Sequence, residues 1–323
     1  MCKIFHPELF QGDAKKTRYF EGWYYKQVSA DFSRVLSVIP GVSLAGDPHA
    51  FIQVIDGVSA MTHYLEFPLQ DFKASRSKLE ISIGDNHFSR DHLELNLNRN
   101  ELQLSGRVDF SGITPWPGNP LAPGIMGWYS FVPSMECYHG VVSMDHRLSG
   151  KFLYNREDFD FNGGRGYIEK DWGTSMPESW IWLHANTFEQ PGTSVMLSIA
   201  KIPWRGKHFT GFICFVLHNG SLYRFMTYNR SRILKAGLTG QEFWVELKNK
   251  KHQLRIEATQ KSAGKLKAPV NGLMERYIKE SVDSSVTVTL SDNSGSRLFS
   301  GTTTRAGLEL VGNPESLLPP EKF

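Results

Sequence analysis

The chain has 323 residues, 40% of them hydrophobic and 12% aromatic, which is ample apolar material for packed cores and argues against disorder. Its 21% charged residues balance to a net charge of only +3 and no basic block interleaves with aromatics, so a nucleic-acid partner is not expected. Length favours two domains of about 150 residues each, and the expected division is 1–176 and 177–323, at a Gly/Ser/Pro turn near Met176.

Cys2, Cys137 and Cys214 are widely spaced with no CxxC pair, so neither a disulfide framework nor a thiolate zinc site is expected. The opening Met1–Pro7 lacks the apolar run of about 7–15 residues that a secretory signal needs, and no stretch approaches the ~18 apolar residues of a membrane-spanning helix. The expectation is a cytoplasmic, reduced protein that an apolar substrate could still bring into peripheral contact with a membrane.

In chain order, Arg18–Lys26 comes first. Strand alternation places Tyr19, Glu21, Trp23 and Tyr25 on one face, so a carboxylate sits among aromatic rings. Such a position lines a substrate pocket or, more plainly, holds an ion pair with a Lys or Arg across the sheet. Pro40-Gly41 and Gly84-Asp85-Asn86 punctuate further short strands. Ile113–Pro123 carries four prolines and Trp116, which predicts an irregular connection that could border a pocket. Gly127–His146 supplies Glu136, His139, Asp145 and His146 as proton carriers or ligands, at spacings unlike the HExxH of a zinc protease.

The densest chemistry lies in Gly166–Asn186. Before Gly173, alternation puts Tyr167, Glu169 and Asp171 on one face and Ile168, Lys170 and Trp172 on the other. After Pro177, Trp180, Trp182 and His184 share a face opposite Ile181, Leu183 and Ala185. Asp171 also reads as a turn residue bonding amides near Gly173. Beyond it, Phe209–Leu217 and Leu222–Tyr228 flank Asn219-Gly220 as a hairpin, because Asn-Gly suits the primed two-residue turns. Lys248–His252 reads as another turn, and Leu254–Ala258, Ser285–Leu290 and Arg297–Thr303 continue the strands. Only Gly272–Glu280 looks helical. No phosphate-cradling glycine loop and no compact ligand cluster is visible, so neither metal nor nucleotide cofactor is expected.

Taken together, Phe20–Lys26, Met135–His146 and Gly166–Gly173 with Trp180-Ile181-Trp182 resemble the tocopherol cyclase family, with three signatures in the right order over about the first 190 residues. The resemblance implies an all-β chain of two consecutive lipocalin-like β-barrel domains, related in fold to carotenoid hydratases. It also implies a cofactor-free ring closure of a prenylated quinol to a chromanol.

Such a ring closure needs an acid strong enough to protonate a trisubstituted alkene, and an apolar pocket that keeps a carboxyl neutral supplies one. Asp171 is the first choice of acid, with Glu169 and Glu136 next. Aromatic faces stabilise the resulting cation by about 0.5–2 kcal/mol each when desolvated. Trp172, Trp180 and Trp182 are the expected walls, Glu21, Trp23 and Tyr25 line the substrate, and His184 or His139 accepts the phenolic proton. Water must be kept out, since it would give a hydrated product. The rivals are an isoprenoid hydratase, which admits that water, and a non-catalytic carrier, which needs apolar walls and few titratable groups.

Overall fold

The computed structural model describes residues 3–12, 17–99, 101–133 and 135–320; Cys2 lies outside them. Twelve strands form one antiparallel sheet: β1 (Phe20–Val28), β2 (Val35–Ser43), β3 (His49–Asp56), β4 (Met61–Pro68), β5 (Phe72–Ala74), β6 (Glu80–Ile83), β7 (Asn86–Ser89), β8 (His92–Arg99), β9 (Leu102–Ser111), β10 (Cys137–Tyr154), β11 (Glu157–Asp160) and β12 (Arg165–Gly173). A second sheet holds β13 (Trp180–Ala185), β14 (Ser194–Trp204), β15 (Lys207–His218), β16 (Ser221–Met226), β17 (Arg232–Thr239), β18 (Glu242–Lys248), β19 (His252–Thr259), β20 (Gly264–Val270), β21 (Leu273–Asp292) and β22 (Arg297–Val311). Among the described residues the helical turns are short 3₁₀ segments and no α-helix occurs.

Two compact units result. The first comprises Met1–Met176 with Lys265–Ile278, the second Pro177–Gly264 with Lys279–Phe323. The segment 265–278 thus groups with the first unit although it lies beyond residue 176 in the chain.

In the first sheet the order is β4-β3-β2-β1-β12-β10-β9-β8-β7-β6-β5, which places the N-terminal strand beside β12 at its centre. One face carries a single apolar core, with Leu36, Val38, Ile52, Val54 and Leu65 from one end of that order and Ile81, Phe88, Leu93 and Leu95 from the other. For both ends to share one core the sheet must curl on itself. The second sheet does the same around Ile181, Leu183, Leu197, Val216, Val245, Ile256 and Val288. This is the lipocalin-like all-β architecture.

Local turn chemistry explains the hairpins. Asn219 and Gly220 both take positive φ (49° and 70°), as a primed turn between β15 and β16 requires. Asn271 (50°) and Gly272 (83°) do the same between β20 and β21. The helix expected over Gly272–Glu280 is therefore corrected: Leu273 begins a 20-residue strand. The Leu-Met-Glu-Arg helix propensity of that stretch is overridden by the Asn-Gly turn before it and the ladder it enters.

The face of β1–β3 opposite the core is covered in turn by the segment 265–278. Gln53 on β3 exchanges two hydrogen bonds with the Lys267 backbone, Nε2 donating to its carbonyl at 3.0 Å and Oε1 accepting from its amide at 2.8 Å. Ser43 Oγ donates to the Gly272 carbonyl at 2.6 Å. Ser37, Gln53, Ile55 and Tyr167 are buried on this face, which does not belong to the apolar core.

Candidate active site

The register of β12 decides which side chains meet. Its neighbours pair as Gly22↔Asp171, Tyr24↔Glu169 and Lys26↔Tyr167 on β1, and as His139↔Asp171 and Val141↔Glu169 on β10. Residues paired across a rung share a face, so Tyr24, Lys26, His139, Tyr167, Glu169 and Asp171 lie together on the face away from the apolar core.

His139 sits between the two carboxylates. Its Nδ1 is hydrogen-bonded to Asp171 Oδ1 at 2.8 Å. Its Nε2 lies 3.5 Å from Glu169 Oε2, an ion-pair distance. The same oxygen of Glu169 accepts a 2.6 Å hydrogen bond from the Tyr167 hydroxyl. Burial, and then the Glu169 charge, hold that phenol well above its ordinary pKa, so it remains a donor. Side-chain exposure rises along the chain of contacts, from 6% at Glu169 to 13% at His139 and 23% at Asp171. Asp171 is the end most open to a reactant.

The Cys137 thiol lies 3.8 Å from Asp171 Oδ1 and 3.7 Å from Met176 Sδ. Burial first, then Asp171 and Glu136, push its pKa up, which makes it an inert neutral thiol. Glu136 fixes the strand end through its backbone, its carbonyl accepting from the Thr174 and Ser175 amides at 2.8 and 3.2 Å.

One atom each from His139, Glu169 and Asp171 come within 4.8 Å of one another, a set of ligand types that could hold a metal ion. The expectation of no compact ligand cluster is corrected, because cross-strand register assembles residues 30 or so positions apart. The orientation still suits proton transfer better. The ring's two nitrogens point at different carboxylates, and a single imidazole cannot aim both at one ion.

Glu21, Trp23, Tyr25 and Trp172 do not join this group. Glu21 pairs with Trp172 and Trp23 with Lys170, which puts all of them on the core face. There the fully buried Glu21 is ion-paired with Lys170 and accepts from the Gln11 amide at 2.8 Å, the Gly12 amide at 2.9 Å and the Tyr19 hydroxyl at 2.6 Å. Lys170 Nζ lies 4.7 Å from the ring centres of both Trp23 and Trp172. Tyr25 donates to the Ser89 carbonyl. Every one of these groups is occupied in holding the sheet.

Trp180, Trp182 and His184 stand on β13 of the second unit, opposite its core residues Ile181 and Leu183. Trp180 Nε1 donates to Glu309, and His184 Nε2 lies 3.3 Å from Ser194 Oγ. Asp171 is inside a strand and bonded to a side chain, so it is not a turn residue. Asp145 is used structurally, ion-paired with Arg165, and His146 is hydrogen-bonded to Ser143 Oγ at 2.9 Å.

A cleft of about 780 Å³ in the first unit is lined by Phe5, His92, Trp116, Pro123 and Val142 among others. The proline-rich connection borders it. Val141, rung partner of Glu169, also lines it, and the backbone amide of His139 donates to Met126 Sδ just beyond the connection.

The family model described as tocopherol cyclase-like matches residues 111–312. A chloroplastic tocopherol cyclase of Zea mays is 24% identical over 200 residues, covering 58% of this chain and 42% of that one. A second curated sequence, "Probable tocopherol cyclase, chloroplastic" of Oryza sativa subsp. japonica, is 27% identical over 149 residues, covering 44% and 31%. The chain thus matches less than half the length of either relative. Among solved structures, CghA with Sch210972 superposes with a TM-score of 0.56 at 9% identity over 91% of this chain and 89% of that one, and CghA alone with 0.57 at 8% identity over the same shares. At that identity the likeness is one of fold.

Proposed function

Because the chain belongs to the tocopherol cyclase-like family, we propose that it is a cyclase that closes an oxygen ring on a prenylated aromatic by protonating the prenyl alkene. The observation that carries this reading is the imidazole of His139 held between the carboxylates of Asp171 and Glu169.

Ring closure is an isomerisation. One proton is added to an alkene carbon and one is lost from a phenol, so no co-reactant is consumed. Asp171, the most exposed of the three, donates to the less substituted alkene carbon and leaves a tertiary cation. The phenol oxygen attacks that cation, forming the C–O bond, and its proton passes to Glu169. His139 then returns a proton from the Glu169 side to Asp171. The proton enters the ring at Nε2 as another leaves from Nδ1, which restores both carboxylates and leaves the other tautomer; a flip of the ring reverses that before the next turnover, and the cation-forming step itself excludes bulk water. A carrier has no use for such a group, which supports the enzyme reading over the carrier reading.

The test is incubation of the purified protein with a panel of prenylated quinols and isoprenoid alkenes, followed by mass spectrometry. A product of unchanged mass and altered retention is expected. A gain of one water would move the reading to a hydratase, and binding without conversion of any member would leave a carrier. Asp171→Asn should keep the fold and lower turnover by roughly 10²–10⁴; near wild-type turnover would remove Asp171 from the mechanism.

A further inference from the structure

The stretch 113–135 contains no Asp, Glu, Lys, Arg or His in a chain that is 21% charged. Much of it is nevertheless exposed. Eleven large hydrophobic side chains are exposed among the described residues, and four of them converge here: Leu121 (82%), Trp128 (45%), Phe131 (44%) and Phe5 (43%).

Phe5, Trp128 and Phe131 form one cluster, and Leu121 projects from the same uncharged stretch. Trp128 and Phe131 are three apart on the 3₁₀ turn Gly127–Phe131, where such residues eclipse. Phe5 meets Phe131 edge-on at 6.2 Å. Leu121 is the tip of a tight turn in which Asn119 Oδ1 accepts from the amides of Leu121 and Ala122 at 2.9 and 3.0 Å. Pro115, Pro117, Pro120 and Pro123 restrict the backbone around that tip, so it is presented without a large ordering cost. Phe5, Trp116, Pro120 and Pro123 are also on the wall of the 780 Å³ cleft, so the patch continues into the mouth of a cavity.

We infer that this patch is a membrane-docking surface of the first unit, whose partner is the interfacial region of a lipid bilayer. An exposed Trp, Phe and Leu on an uncharged, proline-rich stretch, with Phe5 of the turn Lys3–Phe5 packed against Phe131, are residues of the kind that settle at the headgroup–acyl boundary. A second copy of the chain fits less well. The four side chains offer on the order of 400 Å², about half of the 800 Å² per partner that a stable protein interface buries. Docking there would set the cleft mouth against the phase in which isoprenoid compounds dissolve. The inference stands without the cyclase reading, because its test measures no turnover.

The test is flotation of the full chain with phosphatidylcholine vesicles. The wild type should float with the vesicles at low and high salt alike, since the four apolar side chains that make the contact carry no charge to screen. Leu121→Ser combined with Trp128→Ser should lower the partition coefficient at least about tenfold, while Leu153→Ser, an exposed leucine elsewhere, should not change it. Circular dichroism checks that the variants stay folded. Failure of the wild type to float, or equal flotation of the double variant, would overturn the inference. So would a concentration-dependent dimer abolished by the same substitutions in a protein that ignores vesicles.

Discussion

Lys170 and Glu21 form an ion pair in which neither side chain has any exposed surface, and Lys170 lies between the two carboxylates of the candidate site in sequence but on the other side of the sheet. The alternation of β12 thus separates two jobs. Glu169 and Asp171 are turned to the face with His139, while Lys170 anchors the segment 3–12 through the carbonyls of Pro7 and Leu9 as well as Glu21.

Removing one partner of that pair should be costly. Lys170→Met leaves Glu21 buried with its neutral donors only, and an uncompensated buried charge typically costs 3–5 kcal/mol. Glu21→Gln combined with Lys170→Met should recover part of the loss, since no ion then remains. Urea midpoints of the wild type and the single and double variants check this; a double variant no more stable than Lys170→Met would mean that the charge itself is not what destabilises.

Fold class was legible because period-2 alternation and turn residues are local. The Asn219-Gly220 hairpin follows from its two turn residues, and Asn271-Gly272 carries the same signal, outweighed at first sight by the helix-forming residues after it. The site was legible only in part. Alternation separates Asp171 and Glu169 from Trp172, but the join of Asp171 to His139 depends on the register of β10 against β12, which includes shifts between Val141 and Ser143 and between Ser143 and His146. A bulge changes which residues face each other and leaves no periodic trace. For the same reason the partner of Glu21 was open to any Lys or Arg until β1 was paired with β12.

His146 should give stability a pH dependence. It is fully buried, and desolvation lowers its pKa from 6.5 to about 3. Between those values the unfolded chain binds a proton that the folded chain refuses, so stability is present above pH 6.5 and falls as pH drops toward 3. The slope approaches about 1.4 kcal/mol per pH unit within that window. Denaturant unfolding at pH 7 and pH 5 measures it, and His146→Gln should flatten the difference; an equal slope in that variant would assign the effect elsewhere.

Gly166 is paired with His146 and with Gln27, and a Cβ added there would fall on the imidazole itself. Gly166→Ala should therefore displace His146 and destabilise by about 1–3 kcal/mol. Gly192→Ser, placed where a Cβ meets nothing within 4 Å, should cost less despite its φ of 83°. Thermal melts compare the two, and a Gly166→Ala melt at or above that of the wild type would show that the ring has room to move.

The relay itself makes the sharpest prediction, because donor and reset are different jobs. If Asp171 carries the proton for the first event and His139 only restores it, His139→Gln should leave the first turnover within about tenfold of wild type while steady-state turnover falls by roughly 10²–10⁴. The variant's glutamine can still occupy the space between the carboxylates but cannot carry a proton from one to the other. Rapid mixing with substrate should then show a burst approaching one product per enzyme followed by a slow phase. Asp171→Asn should lose burst and steady state together, and Glu169→Gln should retain the acid and slow loss of the phenolic proton. Tyr167→Phe removes only a hydrogen bond to Glu169 and should cost the least of the four. A His139→Gln burst as depressed as its steady state would place His139 in the protonation step itself, with Asp171 as the group that orients it.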